Sequence, residues 1–220
     1  PQAVRPRGRL TAHKAATHVF RIFMWHTLRQ SRPLPLYIVQ LNRKKIVSTA
    51  VDILQQYGLA DLTMRRLARS LDVAPGALYW HFPNKQALLG GIAESILAEV
   101  PACPGSAATY CSLLFDALTS LRDGADITLA AVASGTLERD LTSELAAELQ
   151  SGGAHSSAED AAKLLLRFVF GSALELQARQ NVLQNLGSPT GKAESEAVSR
   201  EDAHRQAVIG VETILRGFSR

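Results

Sequence analysis

Apolar residues recur at helical spacing along the chain from residue 41 onward. The first series lies on one face of a helix that should end at Gly58, where a left-handed residue fits; its members are Ile46, Ala50, Ile53, Leu54 and Tyr57. A second, short helix should begin behind Thr63 as its N-cap, and a third at Pro75, because proline is tolerated in a first helical turn. Asn84 can cap a fourth helix that begins at Lys85. The pattern therefore predicts four successive helices in this part of the chain.

Further helices are predicted beyond the chain breaks at Pro101 and Pro104, near residues 106–122, 126–135, 137–150, 157–184 and 200–218. The polar stretch 186–199 is predicted to be a mobile loop. Alanine and leucine are used heavily, 46% of the residues are apolar, and alternating valine-rich runs are scarce. This composition favours helices over sheet. We therefore predict an all-α fold.

The three helices between residues 41 and 82 have the spacing of a helix-turn-helix unit, in which two short helices follow a longer one across a tight turn. The last helix must protrude to enter the major groove of DNA, while apolar contacts hold its inner face. Leu78 and Phe82, four residues apart, can supply that inner face. The residues left to face outward or sideways are Pro75, Gly76, Ala77, Tyr79, Trp80 and His81.

The segment 46–90 resembles the TetR family of bacterial transcriptional regulators. The matching strings are Leu62-Thr63-Met64-Arg65-Arg66-Leu67-Ala68, Leu71-Asp72-Val73, Leu78-Tyr79-Trp80-His81-Phe82 and Asn84-Lys85-Gln86-Ala87-Leu88-Leu89. The resemblance implies an N-terminal helix-turn-helix DNA-binding domain, 41–90, and a C-terminal helical effector-binding and dimerisation domain, 91–220. It implies a ligand-responsive repressor that binds a palindromic operator as a homodimer and is released by a small apolar or weakly polar effector.

The resemblance also implies DNA contacts at the matched positions. Thr63 and Arg65 would open the first helix of the motif, with Arg65 on a phosphate or a guanine edge. Tyr79 and His81 would bind phosphates, and Lys85 would meet one where a helix dipole favours an anion. The full expected set is Thr63, Arg65, Pro75, Gly76, Ala77, Tyr79, Trp80, His81 and Lys85. Structural alternatives are a core role for Tyr79, helix packing for Trp80, and solvated surface roles for His81 and Arg65.

One departure from the family pattern concerns base reading. Relatives can carry Gln, Pro and Thr where this chain has Pro75-Gly76-Ala77, and a glutamine there could read adenine bidentately. No such side chain is present here. We therefore expect direct readout to shift towards Arg65 and Ala77, and DNA shape to carry more of the specificity.

The resemblance further implies a ligand pocket and a two-fold helical interface in the C-terminal domain. The expected pocket residues are Cys111, Phe115, Leu118, Leu129, Val132, Phe168 and Ser172. The expected interface residues, on the apolar stripes of the last two helices, are Leu165, Val169, Leu176, Val211, Ile214, Leu215 and Phe218. The pocket residues have ordinary core packing as their alternative.

Charge is distributed unevenly along the chain. The first 45 residues hold 10 of the 24 Lys and Arg residues and none of the 20 Asp and Glu residues. An acid-free basic segment suits a polyanion partner. We expect residues 1–40 to form a basic N-terminal extension, either disordered or non-native.

Other classes of function find little support in the sequence. Cys103 and Cys111 match no zinc or redox motif, the six histidines lack ligand spacing, and no paired carboxylates or nucleophile–base pair stand out. We therefore expect no enzyme activity, no cofactor, no metal, no membrane span and a cytoplasmic location near the nucleoid. Two alternatives stay open: a helical small-molecule sensor or interaction protein without sequence-specific DNA binding, and a transcriptional activator.

Overall fold

The computed structural model describes residues 41–152, 158–185 and 199–218. Within these ranges the chain is helical and contains no strand, which confirms the all-α prediction. The helices are α1 Arg43–Tyr57, α2 Met64–Ser70, α3 Pro75–Tyr79, α4 Lys85–Ile96, α5 Ala107–Ser120, α6 Gly124–Ala133, α7 Leu141–Ser151, α8 Ala158–Asn185 and α9 Arg200–Phe218. The basic extension 1–40 and the loop predicted at 186–199, apart from Ser199, lie outside the described residues.

Side-chain caps set the start of the first helices, because the leading N–H groups of a helix have no partner within it. Asn42 Oδ1 accepts the N–H of Lys45 at 2.8 Å ahead of α1. The predicted caps of α2 and α4 are confirmed: Thr63 Oγ1 accepts the N–H of Arg66 at 3.1 Å, and Asn84 Oδ1 accepts from Ala87 at 2.8 Å. Local sequence therefore determines where these helices begin.

Two helices start elsewhere than predicted. Asp140 Oδ1 accepts the N–H groups of Thr142 and Ser143, so α7 begins at Leu141 and not at residue 137. The α6 helix begins at Gly124, two residues early, because Asp123 adopts a left-handed backbone with φ 58° directly after Leu121–Arg122. Neither shift changes which helix faces are buried.

Gly58 ends α1 with φ 80°, a positive value that favours glycine, but its ψ of 176° is extended and not left-handed helical as predicted. Its N–H still donates to Leu54 O at 2.8 Å. A Cβ at this position would lie 3.1 Å from Arg122 Nε and from Asp123 Oδ2. The glycine is therefore needed for its backbone angle and for the close approach of the α5–α6 turn.

The buried side chains form two apolar clusters. The first joins α1 to α4 and includes Leu121 and Ile127 from the α5–α6 region. The second is built from α5, α7, α8 and α9, with Tyr110 and Phe115 among its largest fully buried side chains. The α4 helix, Lys85–Ile96, packs in the first cluster, and Leu97, the residue after it, belongs to the second. A single helix therefore connects the two clusters.

A buried amide holds the α5–α6 junction against α8. Gln177 is 3% exposed, and its Nε2 donates to Leu118 O at 3.0 Å and to Leu121 O at 2.9 Å. Its Oε1 accepts the N–H of Ala125 at 3.1 Å. These three bonds satisfy backbone groups where α5 ends and α6 begins, so a polar residue is tolerated in the core.

Candidate nucleic-acid interface and ligand cleft

The turn between α2 and α3 sets the direction of the protruding helix. Asp72 takes a left-handed backbone with φ 54°, a conformation that Asp tolerates better than most residues. Val73 N–H then donates to Ala68 O at 3.0 Å, which closes the turn. Leu78 and Phe82 are both fully buried, so the inner face of α3 packs as predicted.

The outer surface of α3 carries large exposed aromatic groups. Trp80 is 91% exposed and Tyr79 is 49% exposed. These values argue against helix packing for Trp80 and against a core role for Tyr79. Pro75 and Gly76 are exposed, whereas Ala77 and His81 are half-buried. The α3 surface therefore offers aromatic rings and backbone, and few groups that could hydrogen-bond to bases.

Arg43, at the start of α1, contacts His81 and Phe82, the residues just after α3. Its Nη1 donates to His81 O at 2.6 Å, and its guanidinium lies over the Phe82 ring at 4.2 Å from the centroid. A planar cation can make both contacts at once, through a hydrogen bond at its edge and a cation–π contact at its face. Sequence reasoning missed Arg43, because nothing local links residues 43 and 81.

The three arginines of α2 differ in what they contact. Arg66 forms an ion pair with Asp61 and lies 4.3 Å over the Tyr57 ring, so it fastens α2 to the end of α1. Arg65 is exposed and has no partner among the described residues. Arg69, in the last turn of α2, is likewise exposed without a side-chain partner among the described residues, so Arg65 and Arg69 are the cations of this helix that are available to DNA.

Thr63 and Lys85 occupy the starts of α2 and α4. The Thr63 hydroxyl accepts a backbone N–H as the α2 cap, which leaves its own hydrogen available to a phosphate oxygen. Lys85 is half-buried at the first position of α4, where unpaired N–H groups and the helix dipole favour an anion. Together with Arg65 and Tyr79, they form a surface of the kind that positions a protein on a DNA backbone.

Known proteins share this arrangement. The family model described as "Bacterial regulatory proteins, tetR family" matches residues 46–92. The tetracycline repressor protein class A from transposon 1721 of Escherichia coli is 32% identical over 150 residues, 64% of this chain and 69% of that protein. The chain belongs to the TetR family.

Solved structures agree with this assignment. Mycobacterium smegmatis BioQ is 34% identical, with a TM-score of 0.68, and the match covers 81% of this chain and 97% of BioQ. A structure of BioQ with its double-stranded DNA operator gives a TM-score of 0.65 at 33% identity, covering 81% of this chain and 98% of that one. The chain is thus a TetR-family, DNA-binding transcriptional regulator.

The seven residues expected to line a ligand pocket do not share one cavity in the protomer. Leu118 is fully buried in the core. Cys111 and Phe115 border a void of only about 10 Å³, and Phe168 and Ser172 line a separate groove of about 190 Å³ between α8 and α9. Leu129 and Val132 face a larger cleft of about 440 Å³. Sequence spacing could not separate these sites, because all seven residues lie on apolar helix faces.

The larger cleft lies among α6, the loop before α7, and the α7 and α8 helices. Its apolar walls are formed by Leu129, Val132, Leu137, Leu141, Leu166 and Phe170. Its polar residues are Glu138, Arg139, Asp140, Thr142, Lys163 and Arg167. A concave, mostly apolar site with a few polar groups is the usual form of a small-molecule site. Sequence analysis found only Leu129 and Val132 of this set.

The residues expected at a dimer interface fall into two groups. Leu165, Val169, Leu176 and Val211 are at most 3% exposed and belong to the protomer's own core. Ile214, Leu215 and Phe218 are partly buried against the same cluster. The large apolar side chains that the last two helices leave on the surface are Leu164 at 44%, Ile209 at 55% and Val182 at 56% exposed. The apolar stripe of each helix is thus used within the protomer.

A serine, a histidine and an aspartate meet between α5 and α9. His204 Nε2 lies 3.2 Å from Ser112 Oγ, and its Nδ1 lies 2.9 Å from Asp116 Oδ1. Sequence analysis did not find this pair, because Ser112 and His204 are 92 residues apart. The adjoining void of about 10 Å³ holds at most one water molecule. The trio therefore has no room for a substrate, and its contacts tie α9 to α5.

In the parts of the chain that the structure covers, no three His, Cys, Asp or Glu side chains are grouped so that they could hold a metal ion. None of the helices in those parts has the length and apolar character needed to span a membrane.

Proposed function

We propose that this TetR-family regulator is a ligand-responsive repressor, which binds a palindromic operator as a homodimer and is released by a small effector. The observation that carries the proposal is the α3 surface, where exposed Tyr79 and Trp80 flank a buried anchor formed by Leu78 and Phe82. Residues 41–90 form the DNA-binding domain in this proposal, and residues 91–220 bind the effector and the second copy. The regulator then acts in the cytoplasm, at the DNA of the nucleoid.

In this proposal, the second copy packs against the exposed faces of α8 and α9. Leu164 and Ile209 are large apolar groups left on these faces, and the Phe168 ring lies directly over Gly210 between the two helices. A pair of long helices from each copy would form a four-helix interface. Two-fold symmetry then presents two α3 helices, which match half-sites one helical turn apart, roughly 34–36 Å.

The cleft among α6, α7 and α8 is the effector site in this proposal. It adjoins α6, and Asp123, the residue before α6, accepts the N–H of Leu59, just after α1, at 2.7 Å. An effector that binds better to one position of α6 than to another shifts the relative position of the DNA-binding domains. A coupling of about 3 kcal/mol would weaken operator binding on the order of 100-fold.

A footprint of the purified regulator on the DNA flanking its gene tests the proposal. We expect protection of a palindrome that is lost in Tyr79→Ala and Lys85→Ala, and retained in Ser143→Ala, a surface change on α7. Because Lys85 is assigned to a phosphate, its loss should weaken binding to all sequences alike and reduce the salt slope by about one unit. Sequence-independent coating of the DNA by the unaltered protein would instead favour a non-specific sensor or interaction protein.

A further inference from the structure

The cleft among α6, α7 and α8 carries information about the chemistry of its occupant. Its volume of about 440 Å³ falls within the range of small-molecule pockets. Leu166 and Phe170 of α8 face Leu129 and Val132 of α6 across it. These walls suit a hydrocarbon body, so the charged groups at the rim decide which head group can accompany it.

Two of the charged residues at the cleft are already committed within the protein. Arg139 pairs with Glu144 at 2.5 Å and donates to the carbonyls of Leu97 and Val100. Asp140 accepts the N–H groups that begin α7, and hydrogen bonds from Ser143 hold the pKa of its carboxyl below the ordinary value. The charge of Arg139 is therefore balanced within the protein, whereas Asp140 has no cationic partner among the described residues and adds a negative charge to the rim.

The remaining cations lie together on α8. Lys163 and Arg167 are one turn apart on the helix face that lines the cleft. Lys163 pairs with Glu159 at 2.6 Å, on the side away from Arg167, but both side chains are well exposed, so this surface pair is weak and a ligand anion can compete with Glu159. Arg167 is exposed and has no acidic partner among the described residues. Like charges at this spacing repel each other, and an anion placed between them would remove the repulsion.

Glu138 is the one carboxylate at the rim whose oxygens have no hydrogen-bond or ion-pair partner among the described residues. It is exposed, and it also lines a groove that contains Arg43 and Lys44 on the other side of the loop. The half-buried Thr142 adds a hydroxyl to the cleft at the start of α7. The α8 side of the cleft therefore carries the cations, the loop before α7 and the start of α7 carry the carboxylates and the hydroxyl, and the interior is apolar.

We infer that the effector is an amphipathic organic anion, whose carboxylate or phosphate binds Arg167 and Lys163 while its hydrocarbon body lies between α6 and α8. This inference rests on the proposed effector role of the cleft. Charge-assisted hydrogen bonds to Arg and Lys are about twice as strong as neutral ones, so the anionic head should contribute strongly to affinity. An amphipathic anion is a narrower ligand class than the apolar or weakly polar effector expected from the sequence.

Calorimetric titration of the full protein with four ten-carbon probes tests this. Decanoate and decyl phosphate carry the anion, decanamide is neutral and decylamine is a cation, and comparing the first two distinguishes carboxylate from phosphate recognition. We expect decanoate or decyl phosphate to bind about tenfold or more tightly than decanamide. Equal affinities for all four probes, or no binding of either anion, would overturn the inference.

Two variants locate the site. Arg167→Gln should weaken the anions by about tenfold without changing decanamide, whereas Arg179→Gln, further along α8 and outside the cleft, should change neither. Val132→Trp should fill the cleft and weaken all probes that bind there. Unchanged anion affinity in both Arg167→Gln and Val132→Trp would overturn the site. Operator footprinting on the ligand-free protein is a separate readout, so a failure of the repressor proposal is distinguishable from a failure of the anion inference.

Discussion

The carboxylate of Asp123 accepts the backbone N–H of Leu59 at 2.7 Å, joining the turn after α1 to the residue that precedes α6. Its other oxygen accepts from Asn181 Nδ2 of α8 at 3.0 Å. Asp123 is 8% exposed, so both bonds lie in a poorly solvated position. One side chain therefore links the DNA-binding helices, the cleft-lining α6 and the long α8.

Replacing Asp123 by alanine should lower the free energy of unfolding by about 1–3 kcal/mol, because it leaves the Leu59 N–H without its acceptor. Alanine also disfavours the left-handed φ of 58° at this position. Asp123→Asn is the matched control, since asparagine tolerates that backbone and keeps an amide oxygen. Urea unfolding of both variants checks the prediction; equal loss in the two would show that charge matters more than geometry.

Arg43→Ala should weaken operator binding by about tenfold, since the end of α3 loses both the hydrogen bond to His81 O and the ring contact with Phe82. Arg43→Lys should recover only part of this, because an ammonium cannot make the planar stacking contact. Operator affinity measured over a range of salt concentrations checks the role. If Arg43 only supports the end of α3, Arg43→Ala should leave the dependence of operator affinity on salt concentration unchanged. A salt slope reduced by about one unit would instead assign Arg43 to a phosphate contact.

Ile209→Arg should shift the protein towards monomers without unfolding it, because Ile209 is 55% exposed in the protomer and a charge there would be buried at the proposed interface. Ala147→Arg, on the exposed face of α7, is the control and should leave the assembly unchanged. Sedimentation velocity over a concentration series gives the measurement. An unchanged sedimentation profile for Ile209→Arg would exclude Ile209 from the interface.

Stability should fall in acid partly through Asp140. The hydrogen bonds from Ser143 lower the pKa of this carboxyl in the folded protein from its ordinary value of 3.8. Because the folded pKa is depressed, its contribution is present above the unfolded pKa and is lost as the pH falls below about 3.8 through the folded value. Asp140→Asn keeps the cap but not the charge, so its unfolding free energy should depend less steeply on pH in that window. An equal pH dependence of the unfolding free energy in the two proteins below pH 4 would contradict this prediction.

Local sequence by itself determined the DNA-binding unit. Thr63 and Asn84 begin their helices wherever the rest of the chain lies, because a cap bonds to N–H groups only a few residues away. Leu78 and Phe82 face inward because their spacing follows the helical period. The all-α fold and the outward aromatic groups of α3 follow from the same short-range rules.

Only the tertiary structure decided how the apolar faces of the longer helices are used. The apolar stripe containing Leu165 and Val169 has the same helical periodicity whether it packs on its own protomer or on a second copy. In the structure, this stripe is buried in the protomer's own core. The Arg43–His81 and Ser112–His204 contacts likewise join residues that no local pattern connects. Helical periodicity predicts that a helix face is buried, but which helix or which copy covers that face depends on how distant helices pack.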